Sequence, residues 1–167
     1  MKNLKFTALI VLIIAQLCVP VYMLLNKYNT LKNGVEVKFD VRPIDPYDPF
    51  RGRYVSINPN ISLDSVNRNG GYGILTIAEN GYAKLEKTVT EKPTEGIYVK
   101  SKDKNYFRIP IDRYYMDEKL APKAEKLTWN RPEQDKIYVT ARILNGNLVV
   151  SGLFINDIPI ETYVEAE

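Results

Sequence analysis

The chain opens with a run of apolar positions that no later segment repeats. From Phe6 to Leu25, FTALIVLIIAQLCVPVYMLL, twenty consecutive residues carry no charge, with Lys2 and Lys5 before them and Lys27 after. At about 1.5 Å of rise per residue, a helix of this length crosses a hydrocarbon core of roughly 30 Å. The pattern predicts a transmembrane anchor, and the lipid bilayer is the first expected partner. The run is longer than the apolar core of about 7–15 residues in a secretion signal, and Met23-Leu24-Leu25-Asn26-Lys27 contains no small-x-small cleavage site. A retained anchor is therefore expected rather than a cleaved leader. Cys18 follows Leu17, where a lipoprotein signal needs a small residue, and Gln16 and Pro20 inside the run are tolerated in lipid.

Orientation is not decided by the flanking charges, Lys2 and Lys5 against Lys27 and Lys32. The short tail before the helix suits a signal anchor in a bacterial inner membrane. The N-terminus is then expected in the cytoplasm, with everything from about residue 26 outside it.

After the anchor the period changes. Residues 1–25 form the tail and anchor, Asn26 to Gly34 is polar and reads as a juxtamembrane linker, and residues 35–167 form one domain. Val35, Val37, Phe39 and Val41 alternate with Glu36, Lys38 and Asp40, the two-residue period of a half-buried strand. Arg53 to Ile57 is a second short β-prone run. Ile74–Ala78 and Tyr82–Val89 flank Glu79-Asn80-Gly81, a hairpin signal. Ile97–Lys100 and Tyr106–Ile109 flank a charged turn and read as another pair. Lys136–Leu144 and Leu148–Ile155 flank Asn145-Gly146-Asn147, the clearest hairpin, and Asn156-Asp157 turns into a last strand, Ile158–Tyr163. One short helix is expected at Leu120–Leu127, where Leu120, Ala124 and Leu127 share a face. The fold class is mainly β: a transmembrane helix, then a small antiparallel sandwich or partly closed barrel with one short helix.

Composition removes several functions. The sequence has no histidine, which excludes His-dependent catalysis and His-ligated metal within the chain. Its one cysteine is Cys18 in the anchor, so the domain has no disulfide and no thiolate nucleophile. Beyond the anchor 21 Lys and Arg face 20 Asp and Glu, and this balance gives no reason to expect nucleic acid. No cofactor is expected, and Asp45 with Asp48 is too sparse a ligand set to predict a calcium site.

Chemistry concentrates in Val41–Ile57, VRPIDPYDPFRGRYVSI. Pro43, Pro46 and Pro49 push the residues before them toward extended conformations, and Gly52 permits a tight turn. Asp45, Asp48, Arg51, Arg53 and Tyr54 are thereby displayed as a candidate binding surface, with Pro46, Pro49 and Gly52 as its structural supports. The same residues also suit a plain scaffold, since Asp-Pro starts turns and Arg51 can pair with an Asp. A second candidate cluster is Arg113, Tyr114, Asp117 and Glu118. The 12 tyrosines offer faces for stacking on sugars but equally favour strands.

Asp45-Pro46-Tyr47-Asp48-Pro49-Phe50-Arg51-Gly52-Arg53-Tyr54 resembles the signature of the bacterial GDYXXLXY family of membrane-anchored proteins, D-P-x-D-x-x-R-G-D-Y-x-x-L-x-Y. Arg53 stands where the family has its acid, Ile57 where it has Leu, and Pro59 where it has the last Tyr. Arg113-Tyr114-Tyr115-Met116-Asp117-Glu118 is similar to the family's R-Y-[FY]-x-x-E segment. The resemblance implies a membrane-anchored β-rich domain and brings no established activity. Two functional classes stay open. One is a module that binds a membrane-protein or envelope partner; the other is a membrane-tethered hydrolase using carboxylates or a Ser-Lys pair, with Ser56 and Ser151 as candidate serines.

Overall fold

The computed structural model describes residues 2–44, 54–59, 71–117, 119–120, 123–124 and 135–166. Helix α1 spans Lys2–Asn33 and is continuous through Pro20. Its apolar stretch faces outward on every side, and Leu9–Asn33 is long and apolar enough to cross a membrane. The polar segment expected to be a linker is helical instead. Asn26–Asn33 contains no helix breaker, and Thr30 donates its hydroxyl to the Asn26 carbonyl 3.0 Å away, satisfying a buried side chain inside the helix.

The domain is mainly β. Its strands are β1 (Val35–Ile44), β2 (Tyr54–Pro59), β3 (Tyr72–Ile77), β4 (Ala83–Val89), β5 (Ile97–Lys100), β6 (Arg113–Tyr115), β7 (Ile137–Leu144), β8 (Asn147–Ile155) and β9 (Ile158–Pro159), followed by helix α2 (Ile160–Ala166). They form two antiparallel sheets, one in the order β6-β2-β1-β7-β8-β9 and one in the order β4-β3-β5. Neither closes into a barrel. Among the described residues two backbone hydrogen bonds join the sheets: the Lys38 amide donates to the Gly81 carbonyl and the Lys100 amide to the Gly146 carbonyl, each at 2.9 Å.

One cluster of buried side chains draws on both sheets. Val37, Phe39 and Val41 enter it from β1 as the alternation predicts, while Val35, at the strand's first position, is 46 % exposed. Strand β7 supplies Ile137, Val139, Ala141 and Ile143; β8 adds Leu153 and Ile155; β3 and β5 add Leu75 and Val99. A bulge in the β7–β8 hairpin makes this possible. Thr140 pairs with Gly152 and Ala141 with Val150, leaving Ser151 as the extra residue. Strict alternation would turn Leu148 and Val150 away from the face used by Leu153 and Ile155; the extra residue restores them to the core.

Other pairings depart from the sequence reading. Strand β5 joins β3, whereas Tyr106–Ile109 forms no strand, because Ser101 closes the intervening loop. Its hydroxyl bonds the carbonyls of Asp103 and Tyr106 and accepts from the amides of Asp103 and Arg108. The strand expected at Ile158–Tyr163 ends at Pro159, and α2 follows, burying Ile160 and Val164 one helical turn apart. Of the helix expected at Leu120–Leu127, Lys123 and Ala124 are helical and the Ala124 amide donates to the Leu120 carbonyl at 2.9 Å; most of the remainder lies outside the described residues.

Gly34 is the single residue between α1 and β1. A Cβ there would stand 2.4 Å from the Thr30 carbonyl oxygen and 3.0 Å from the Ile143 amide, so a side chain would force the helix end off β7. Gly34→Ala is therefore expected to cost about 2–3 kcal/mol in urea denaturation of the full chain in detergent. Gly96→Ala, which introduces a left-handed strain at φ 85° but meets nothing within 4 Å, is expected to cost about 1 kcal/mol.

Candidate functional site

The sequence motifs meet through the backbone. Strand β2 pairs antiparallel with β6, setting Tyr54 opposite Tyr115, Val55 opposite Tyr114 and Ser56 opposite Arg113. The second motif thus lies beside the strand that ends the first. Asp45, Pro46, Asp48, Pro49, Arg51, Gly52, Arg53 and Glu118 lie outside the described residues.

Arg113, Tyr114 and Tyr115 line an open cleft of about 490 Å³, together with Lys27 from α1, Lys102, and Asp112. Asp112 forms an ion pair with Lys102 and sits 4.0 Å from the Arg113 guanidinium. All three are partly exposed, so the pairing is screened and its main effect is positional. Counting Lys27, the described residues of the cleft carry three cations against one carboxylate. Tyr115 is 62 % exposed at the edge of the cleft.

Tyr114 has a different role. It packs against the core, and its hydroxyl donates to Glu161 on α2 at 2.6 Å. Burial first, then this bond and the nearby carboxylate charge, push its pKa well above the usual phenol value. Asp117 lies on the turn beyond β6. Its carboxylate accepts from the Lys119 amide at 2.8 Å, an Asx-type turn bond, and it does not line the cleft. Sequence reasoning did not select Lys27, Lys102 or Asp112. The one available signal was Asp112-Arg113, adjacent opposite charges at the start of the motif.

The other tyrosines separate into covered and open ones. Tyr138 is buried: its ring stacks on Phe154 at 5.2 Å, meets Tyr82 edge-on at 5.8 Å, and has the Lys38 ammonium 4.8 Å from its centroid. Its hydroxyl donates to Asp157 at 2.7 Å. Desolvation, that bond, and the charge of Asp157 push its pKa up to about 12. Tyr98 is buried beside Tyr72 at 5.8 Å. Neither buried ring is open to a sugar. Ser151 Oγ donates to Thr140 Oγ1 at 3.0 Å, and among the described residues no group of three or more Cys, Asp or Glu side chains gathers to hold a metal.

An apolar N-terminal helix carrying a two-sheet β domain, with an arginine- and tyrosine-lined cleft beside the helix end, defines the class. The model of the GDYXXLXY protein family matches residues 16–153, most of the chain, and the protein belongs to that family. No curated protein and no solved structure matches it.

Two outcomes follow from the tyrosines. Tyr114→Phe removes a hydrogen bond to a carboxylate and is expected to lower unfolding stability by about 1–2 kcal/mol, measured by urea denaturation of the full chain in detergent. For Tyr138, a folded-state pKa above the unfolded value of about 10 means that the folded protein holds the proton longer. Its stabilisation is whole below about pH 10 and is lost as pH rises through about 12. Denaturation midpoints should drop as pH rises from about 10 to about 12, and Tyr138→Phe should flatten that drop; Tyr82 and Tyr114, also raised, account for what persists.

Proposed function

We propose that the protein is a single-pass, membrane-anchored binding module. In this reading Phe6–Leu25 lies in the lipid bilayer, and the β-rich domain presents the β6 cleft to a membrane-protein or envelope partner. The observation that carries the proposal is the composition of the cleft: Lys27, Lys102 and Arg113 line it together with a partly exposed Asp112 and the largely exposed Tyr115. Guanidinium, ammonium and phenol groups on an open surface suit recognition of an acidic or carbonyl-rich group. The cleft is next to the end of α1, so the ligand would be met close to the membrane.

The cell inner membrane, with the N-terminus cytoplasmic and the domain extracytoplasmic, is part of the same proposal. The anchor rests on the apolar run, and the orientation is the part of the proposal that the thiol-labelling experiment below decides. Asp45, Asp48, Arg51, Arg53, Tyr54 and Glu118 are proposed to belong to the same binding surface, because the segments that carry them adjoin one end of the β2–β6 pair, where Tyr54 faces Tyr115.

A photo-crosslinking residue at Tyr115, used in intact membranes, is expected to capture one main partner, with capture falling at least tenfold in Arg113→Ala. Absence of any adduct, together with substrate turnover by the purified chain, would establish the tethered-hydrolase class instead. For orientation, Cys18→Ser/Tyr106→Cys gives a chain with one exposed domain thiol. A membrane-impermeant maleimide should label it in spheroplasts before lysis; labelling only after lysis reverses the assigned topology.

A further inference from the structure

A second groove, of about 350 Å³, adjoins the cleft along Lys27, Pro110, Leu148 and Val149. None of the sequence-selected residues lines it. On the helix side it is formed by Tyr22, Met23, Asn26, Lys27 and Thr30, spaced so that all five share one face of α1. The uncharged run ends at Leu25, within this face. The groove therefore begins among apolar side chains of the anchor and continues upward between the helix and the β7–β8 turn.

Its chemistry changes along the same direction. Tyr22, Met23, Leu148 and Val149 give apolar walls, and Lys27 and Lys100 supply the only charges among the lining residues. Among the described residues no carboxylate lines the groove. Both lysines are exposed, and neither has an ion-pair partner among the described residues. The cleft next to it differs, since there Asp112 offsets part of the positive charge.

We propose that this groove seats an anionic phospholipid, with acyl chain along Tyr22 and Met23 and phosphate between Lys27 and Lys100. A soluble anion would leave the apolar walls uncovered, and a transmembrane helix from another protein would leave the two ammonium groups uncompensated. A lipid with one apolar and one anionic part satisfies both ends at once. The inference rests on the membrane placement of α1 and is independent of the identity of any protein partner.

The test is native mass spectrometry of the full chain released from nanodiscs containing equal phosphatidylglycerol and phosphatidylcholine. Phosphatidylglycerol should be retained about fivefold or more over phosphatidylcholine, as expected for basic groups at an anionic surface. Lys27→Gln/Lys100→Gln should bring the ratio near one, while Lys27→Arg/Lys100→Arg and the distant Lys84→Gln/Lys87→Gln should keep it. Equal retention of the two lipids by the wild type, an unchanged ratio in Lys27→Gln/Lys100→Gln, or a chain that travels as a lipid-free dimer would each overturn the proposal. Lipid preference that persists when no partner is captured at Tyr115 would count against the binding-module reading alone.

Discussion

The guanidinium of Arg142 holds the molecule's two halves in register. One nitrogen donates to the Gly34 carbonyl at 3.2 Å, at the exit of α1, and another to the Glu36 carboxylate at 2.7 Å, at the start of β1. Arg142 itself projects from β7 directly opposite Glu36. A planar fork with two acceptors fixes direction as well as distance. The energy of such a half-exposed pair is modest. Its importance is geometric, because β1 and β7 are the adjoining middle strands of the large sheet: β2 and β6 extend from one and β8 and β9 from the other. The cleft draws lining residues from α1, β6 and β8, elements that lie on both sides of that alignment.

Around this spine the protein uses tyrosine in two opposed ways. Tyr138 is walled in by Phe154, Tyr82 and Lys38, and its hydroxyl is committed to Asp157, so it consolidates the face of the sheet away from the core. Tyr114 is similarly committed, joining β6 to α2 through Glu161. Tyr115, the next residue, is largely exposed. Adjacent positions on one short strand thus divide between holding the fold and facing solvent, as strand alternation allows.

Local patterns in the chain carried much of this architecture. The alternation of Val37, Phe39 and Val41 identified β1, and the Asn145-Gly146 turn identified the last hairpin, where φ values of 51° and 85° suit the residues present. The pairing of β1 with β7 was not legible, since about a hundred residues separate them and nothing local encodes the match. The partner of β5 was hidden for a related reason: a charged turn after Lys100 resembles a hairpin, yet Ser101 ties that turn into a closed loop. Helix α2 escaped because the Asn156-Asp157 turn pointed to one more strand, while the deciding spacing was Ile160 to Val164. At the site, Arg113 and Tyr114 were visible in a motif. Lys27 and Lys102 became neighbours only through folding.

Helix α1 runs to Asn33 and β1 begins at Val35, leaving no flexible tether between them. The polar last two turns act as a rigid post, about 12 Å tall, above the apolar run. In the proposed membrane placement, a helix held in a bilayer can still tilt and spin, and with this connection each such movement is passed whole to the sheets. The domain would then have a set height and a set heading relative to its helix. What it met at a membrane surface would be selected by angle of approach as well as by chemistry.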